Sequence, residues 1–331
     1  MKMKLLAILA AAAAVFSSCA GQKTEKPAEK EETNPFADYP AFNADSAYEY
    51  VDRQVSFGPR IPGSEGSEKC HAYFLEAFRR FGADTIIDQR GTVTAFNGDQ
   101  LPIRNVMARY NPERKKRVLV LAHWDTRPWA DEDPHIELRQ KTVPGANDGA
   151  SGVGVILELA RQINMKRPDV GVDFLLVDAE DYGNSGGFSD NADTWALGTQ
   201  YFIKNSPYTK ENQPVYAILL DMVGGTGAVF NREYLSTQKA PAVVDRVWKV
   251  AQQSGFSDRF KDEIGGGVTD DHVFLNEAGI PAIDIIECSN TVTRNFPPTW
   301  HTVDDDMRSI DRSSLKAAGQ TVLNVLYSEP K

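Results

Sequence analysis

The chain has 331 residues, 41% of them apolar and 25% charged, which is ample material for a large core and excludes a disordered or collagen-like protein. Asp and Glu outnumber Lys and Arg by 46 to 36, so a net charge of −10 offers no basic footprint for phosphates and excludes nucleic acid as a partner. The three cysteines, Cys19, Cys70 and Cys288, are too few for a disulfide scaffold and lack zinc-ribbon spacing, so any metal must be held by His and carboxylates.

Lys2 and Lys4 precede an apolar stretch from Leu5 to Phe16, followed by Ser17, Ser18 and Cys19. Residues 1–18 read as an export signal, too short for a spanning helix, which needs about 20 residues. Small residues before a single cysteine resemble a bacterial lipoprotein cleavage site, although Phe16 stands where Leu is usual. The expectation is a chain lipidated at Cys19, anchored to a membrane on the periplasmic side. Residues 19–34, rich in Gln, Lys, Glu, Thr and Pro, read as a solvated tether, and 35–331 as one catalytic domain. Cys70 and Cys288 are then either a pair or two buried thiols; spacing does not decide.

Apolar periodicity predicts helices over 45–57, 66–81, 151–163, 242–254 and 312–327. Strands are predicted over 85–89, 105–110, 117–122, 172–177, 215–220 and 280–286. Several are apolar on both faces, and helices alternate with them. That pattern specifies an α/β fold with a mixed, mostly parallel central sheet and helices on both faces; the first two strands are too close for a crossover helix and must be antiparallel.

The buried runs end in chemistry. Val118–Ala122 leads into His123-Trp124-Asp125, Phe174–Val177 into Asp178-Ala179-Glu180-Asp181, and Ala217–Leu220 into Asp221. Open α/β sheets bind ligands at that edge. Asp148 lies in the loop Gly145-Ala146-Asn147-Asp148-Gly149, just before a predicted helix, and taken alone also fits a helix N-cap. Carboxylates converging on one cleft repel, and with an imidazole they suit zinc better than calcium. Of the neighbours Glu180 and Asp181, one can bind metal while the other stays free to move protons. The C-terminal part adds Asp270-Asp271-His272 and Trp300-His301-Thr302, with His301 a second candidate imidazole ligand. His272 is accounted for by capping and packing, and His71 and His135 receive no role.

Taken in order, His-x-Asp, Asn-Asp-Gly-Ala-Ser-Gly, Asp-x-Glu-acid, Leu-Leu-Asp, Asp-Asp-His and Trp-His-Thr resemble the zinc-dependent glutaminyl-peptide cyclotransferases of the animal type, which share the zinc aminopeptidase fold. The resemblance spans residues 42–327. It implies one Zn2+ held by Asp148, Asp181 and His301, Glu180 as general acid and base, Asp221 and Asp270 as a carboxyl network, and Trp300 beside the substrate. The implied reaction converts the N-terminal glutamine of peptides to pyroglutamate with release of ammonia. The aminopeptidase branch would instead use two zincs, with His123 and Asp221 as additional ligands, and would hydrolyse the N-terminal residue. Asp270 and the approach Phe296-Pro297 to Trp300 match the cyclases. Three features depart from their pattern: Asp181 stands where Glu is usual, Ala179 where Gly is usual, and a long insertion containing Gly183, Gly186, Gly187, Asp190 and Asp193 reads as a lid beside the site.

Overall fold

The computed structural model describes residues 35–186 and 191–330. The export signal, Cys19, the tether and the insertion residues Gly187 and Asp190 lie outside the described residues.

The element order is α1 (Ala44–Val55), α2 (Glu65–Arg80), β1 (Thr85–Thr94), β2 (Gln100–Tyr110), β3 (Arg117–His123), α3 (Ala150–Met165), β4 (Gly171–Val177), α4 (Leu197–Lys204), β5 (Tyr216–Leu220), β6 (Phe230–Arg232), α5 (Tyr234–Lys239), α6 (Pro241–Gln253), β7 (Phe260–Ile264), α7 (Asp271–Glu277), β8 (Ala282–Ile285) and α8 (Arg312–Tyr327). Six strands form one sheet in the order β1-β2-β4-β3-β5-β8. The β1–β2 and β2–β4 pairs are antiparallel; β4–β3, β3–β5 and β5–β8 are parallel. The mixed sheet is the one expected. A small parallel pair, β6 with β7, was not, because β6 has only three residues and no room for an alternating pattern.

β1 and β2 form a long hairpin closed at Ala95–Asp99, where Gly98 takes a φ of 91°. β1 is an edge strand with polar residues along it, which protects the edge from pairing with another chain. The central strands β3, β4 and β5 are buried along their whole length. Their side chains alternate between two cores. Val118, Val120 and Ala122 join the larger core with residues of α1, α2, α3, α6 and α8. Leu119 and Leu121 join the smaller, which includes Phe202 of α4 and Leu275 of α7. At about 1.5–3 kcal/mol for each large apolar side chain removed from water, this double-sided burial fixes the strand register. β3 therefore delivers its last residue to one defined place. Cys70 and Cys288 are both free and buried, so they do not pair.

Candidate active site

The carboxyl ends of β3, β4 and β5 open into a cavity of about 460 Å3, whose lining includes Asp148, Glu180, Asp181, Asp221, Asp270, Trp300 and His301. Of the expected site residues within the described chain, His123 alone does not line it; it sits behind. Its Nε2 lies 3.0 Å from Asp148 Oδ1 and 3.2 Å from Asp221 Oδ1, and its Nδ1 3.4 Å from Asp125 Oδ1. His301 Nε2 lies 3.0 Å from Asp181 Oδ1 and 3.7 Å from Asp148 Oδ2. The third contact of that imidazole is Asp131 Oδ1, 3.4 Å from Nδ1.

Backbone geometry holds these groups in place. After β4 the chain turns sharply, with Ala179 at a φ of 51°, the left-handed region that explains why Gly is usual there. The turn points the Glu180 and Asp181 amides at Asp125, whose carboxylate accepts them at 3.0 and 3.1 Å. Asp178 turns the other way and accepts from the Arg104 and Ala179 amides, so it is structural. Gly149 caps α3 with no side-chain bond, so Asp148 is no N-cap and its carboxylate is free to face the imidazoles. A Cβ at Gly149 would sit 2.6 Å from the His123 ring, so only glycine fits. Asp305 fixes the same loop by accepting from the Asn147 and Asp148 amides at 2.8 and 3.1 Å.

Asp148, Asp181 and His301 place one ligand atom each within 4.8 Å of one another, and all three side chains are buried. Asp181 Oδ2 has no hydrogen-bond partner among the described residues. A buried carboxylate oxygen without a donor is costly unless a cation completes it, and two carboxylates with one imidazole suit zinc. The residues fit the ion. His123, Asp148 and Asp221 meet the same geometric condition, sharing Asp148.

Burial, reinforced by the charge of Asp270, holds the Glu180 carboxyl well above the usual carboxylate range. Burial also pushes Asp221 up to about 7, with Asp148 and Asp270 raising it against the pull of His123. Burial would lower His301, but the Asp181 charge and the Asp131 and Asp181 contacts outweigh it and raise the imidazole to about 9. A buried acid raised this far can hold or release a proton near neutral pH.

The sequence did not single out several residues that shape the site. Trp195 lies on the His301 imidazole with ring centroids 6.3 Å apart, joining the expected Trp300, which stacks on it at 3.9 Å. Arg127 is fully buried between Trp129 and Trp195, and donates to Asp131 and to the Asp181 and Gly183 carbonyls. Asn184 and Ser185, from the described part of the insertion, line the cavity. The only advance signal for Arg127 and Asp131 was an i, i+4 spacing of opposite charges, common on any surface. Asp270 both lines the cavity and caps α7 by accepting from the Asp271 amide. For His272 the structure bears out the packing and corrects the capping. Its side chain lies fully buried with Nε2 3.2 Å from Glu233 and Nδ1 3.9 Å from Asp284.

A doubly covered, mostly parallel sheet with a His-and-carboxylate notch at its carboxyl edge defines the zinc-exopeptidase class of α/β proteins. The chain belongs to peptidase family M28, whose pattern matches residues 105–326. It is similar to a solved glutaminyl cyclase of Bacteroides thetaiotaomicron bound to N-acetylhistamine, with 45% identity and a TM-score of 0.85 over 88% of this chain and 100% of that one. A leucine aminopeptidase precursor from the same organism is also similar, at 45% identity and a TM-score of 0.84 over 88% and 99%. Bovine glutaminyl-peptide cyclotransferase is 22% identical over 284 residues, 77% of this chain and 74% of its own.

Proposed function

We propose that this M28 enzyme is a glutaminyl-peptide cyclotransferase, acting on peptides that begin with glutamine and releasing pyroglutamyl peptide and ammonia. The observation that carries the reading is Glu180 and Asp270, both buried, in the same cavity as the Asp148–Asp181–His301 notch, with Trp300 as its wall. Similarity at 42–45% identity to solved bacterial glutaminyl cyclases over nearly the whole folded chain supports it.

In the proposed reaction the substrate's own α-amine attacks its γ-carboxamide carbon. One C–N bond forms, another breaks, and ammonia leaves. Asp148, Asp181 and His301 would hold the ion; zinc bound there supplies a Lewis acid for the carboxamide oxygen. Glu180 takes a proton from the amine and returns one to the departing nitrogen, the work open to a carboxyl whose hold on its proton is strengthened by burial. Asp270 and Asp221, whose charges oppose one another, share a proton, and their remaining carboxyl oxygens accept hydrogen bonds from the leaving N–H groups. Trp300 holds the glutamine side chain against the imidazole wall. Keeping amine and carbonyl together removes an entropic barrier that reaches about 7–11 kcal/mol in favourable cases.

A second reading, a two-zinc aminopeptidase, is favoured by the His123–Asp148–Asp221 triad and by the aminopeptidase-named neighbour. Product mass separates the two. With zinc quantified, the cyclase reading expects one equivalent of metal and loss of ammonia from glutaminyl peptides; release of free amino acid from glutaminyl or leucyl peptides with two equivalents overturns it.

The export signal and the lipid on Cys19 belong to this proposal as well, supported by the sequence pattern at residues 1–19. Full-length protein is expected in the membrane fraction and C19A in the soluble exported fraction. Equal partitioning of the two would remove the anchor.

A further inference from the structure

The catalytic cavity continues into a second groove of about 260 Å3 whose lining includes Glu132, Asn295, Phe296, Pro297, Pro298 and Trp300. Glu132, Asn295, Phe296 and Trp300 line both spaces, so a peptide whose first side chain lies against Trp300 has this groove as a continuous way out. The groove has two chemical parts. Phe296, packed on Trp300 with centroids 4.6 Å apart, forms with Pro297 and Pro298 an apolar floor. Glu132 supplies an exposed carboxylate at its edge.

The acids flanking Glu132 are already engaged. Asp131 is paired with Arg127 and accepts from Ser185, and Asp133 accepts from the His135 and Val303 amides. The Glu132 side chain has no hydrogen bond or ion pair among the described residues, yet its backbone is pinned, because its N–H donates to the His301 carbonyl at 3.3 Å. A carboxylate without a partner, fixed one hydrogen bond from the metal notch and bordering an apolar floor, matches a long side chain with an apolar stem and a cationic head. On the groove's own loop the opposing charge is Arg294, which is exposed and lines neither space.

Building on the cyclase reading, we propose that Glu132 sets the preference of this enzyme beyond the first residue, selecting glutaminyl peptides that carry Lys or Arg at the second or third position. The carboxylate faces solvent, so the attraction is modest, and the matching repulsion of an acidic residue adds to it. The test compares kcat/KM at low ionic strength for three peptides identical except for Lys, Ala or Glu after the glutamine. Wild-type enzyme is expected to prefer the Lys peptide to the Glu peptide about fivefold, mostly through KM, with the ratio shrinking in high salt. Glu132→Gln should bring the ratio close to one, and Glu132→Lys should invert it. A wild-type ratio near one, or a ratio that survives in Glu132→Gln, overturns the proposal. Release of free glutamine in place of ammonia would overturn the cyclase reading instead, and the same peptide ratios would still judge the groove.

Discussion

The two ends of the same strands handle buried charge in opposite ways. At the amino end of β3 and β4, Asp173 accepts from Arg117 Nε at 2.9 Å and Nη2, from Arg109 Nε at 3.2 Å and from Tyr208 OH at 2.8 Å. Arg117 spends its remaining donors on the carbonyls of Tyr110, Asn111 and Arg114. Both oxygens of the buried carboxylate and every donor of Arg117 are satisfied there, and nothing further is asked of the cluster. At the carboxyl end, Asp125, Asp148, Glu180, Asp181, Asp221 and Asp270 are buried around His123, His301 and Arg127. Acids exceed cations, and Asp181 Oδ2 lacks a donor among the described residues. Buried ion clusters that serve only the fold are closed; a surplus of one sign in a cavity marks a place where an ion or a proton belongs.

The sharpest way to break this comparison is Glu180→Gln. If the unattached acid at the carboxyl end moves protons, kcat falls by about 10²–10⁴-fold while zinc stoichiometry and thermal stability stay near wild type. Metal analysis of the variant beside its rate on a glutaminyl peptide checks this, and near-normal turnover would remove Glu180 from the role. The amino end should behave in the reverse manner. Asp173→Ala leaves the fully buried Arg117 without its carboxylate, which should cost about 3–5 kcal/mol of stability while the folded fraction keeps its kcat. Denaturant midpoints measured with kcat make the comparison. A double replacement of Arg117 and Asp173 by apolar residues of similar volume should recover most of that loss, because the charge and its partner leave together.

What the sequence disclosed follows the same division. The central sheet was legible because β3, β4 and β5 are uninterrupted apolar runs, and their last residues announced His123, the Glu180-Asp181 pair and Asp221. The antiparallel hairpin followed from the short spacing between its strands. Trp195, Arg127, Asp131 and Asp305 were not legible, because each reaches the site from a loop and acts through contacts across many residues of chain. Asp305, for instance, positions Asp148 from 157 residues away. No periodicity records such a contact. α4, α5 and the β6–β7 pair were missed for a related reason: they are short, and tertiary packing rather than local pattern decides them.

Glu233 offers a smaller and more delicate contrast, since it is a matched acid among the unmatched ones. It caps α5 by accepting from the Leu235 and Ser236 amides at 2.8 and 2.5 Å, accepts from Val268 at 2.9 Å, and faces His272 Nε2 at 3.2 Å. Burial alone would raise its carboxyl; the close contact with His272 and its charge, with the Ser236 amide, outweigh burial and bring it down to about 2. Nearby Asp271 and Asp284 go the other way, because burial and the Asp270 charge hold both well above the usual range. A lowered acid stabilises the fold above its unfolded value of about 4.5, and that contribution is lost as pH falls through about 2. Raised acids do the opposite: they favour the fold at low pH and cost stability as pH rises through their folded values. The two trends overlap in wild-type protein, so the difference between wild type and Glu233→Gln isolates the first. That difference in unfolding free energy should be about 3 kcal/mol smaller at pH 2 than at pH 6, with the change falling between about pH 4.5 and 2. A difference that stays constant across that range would mean that His272 does not hold Glu233 as an ionised partner, and the contrast between matched and unmatched acids would then stop at the amino end of the sheet.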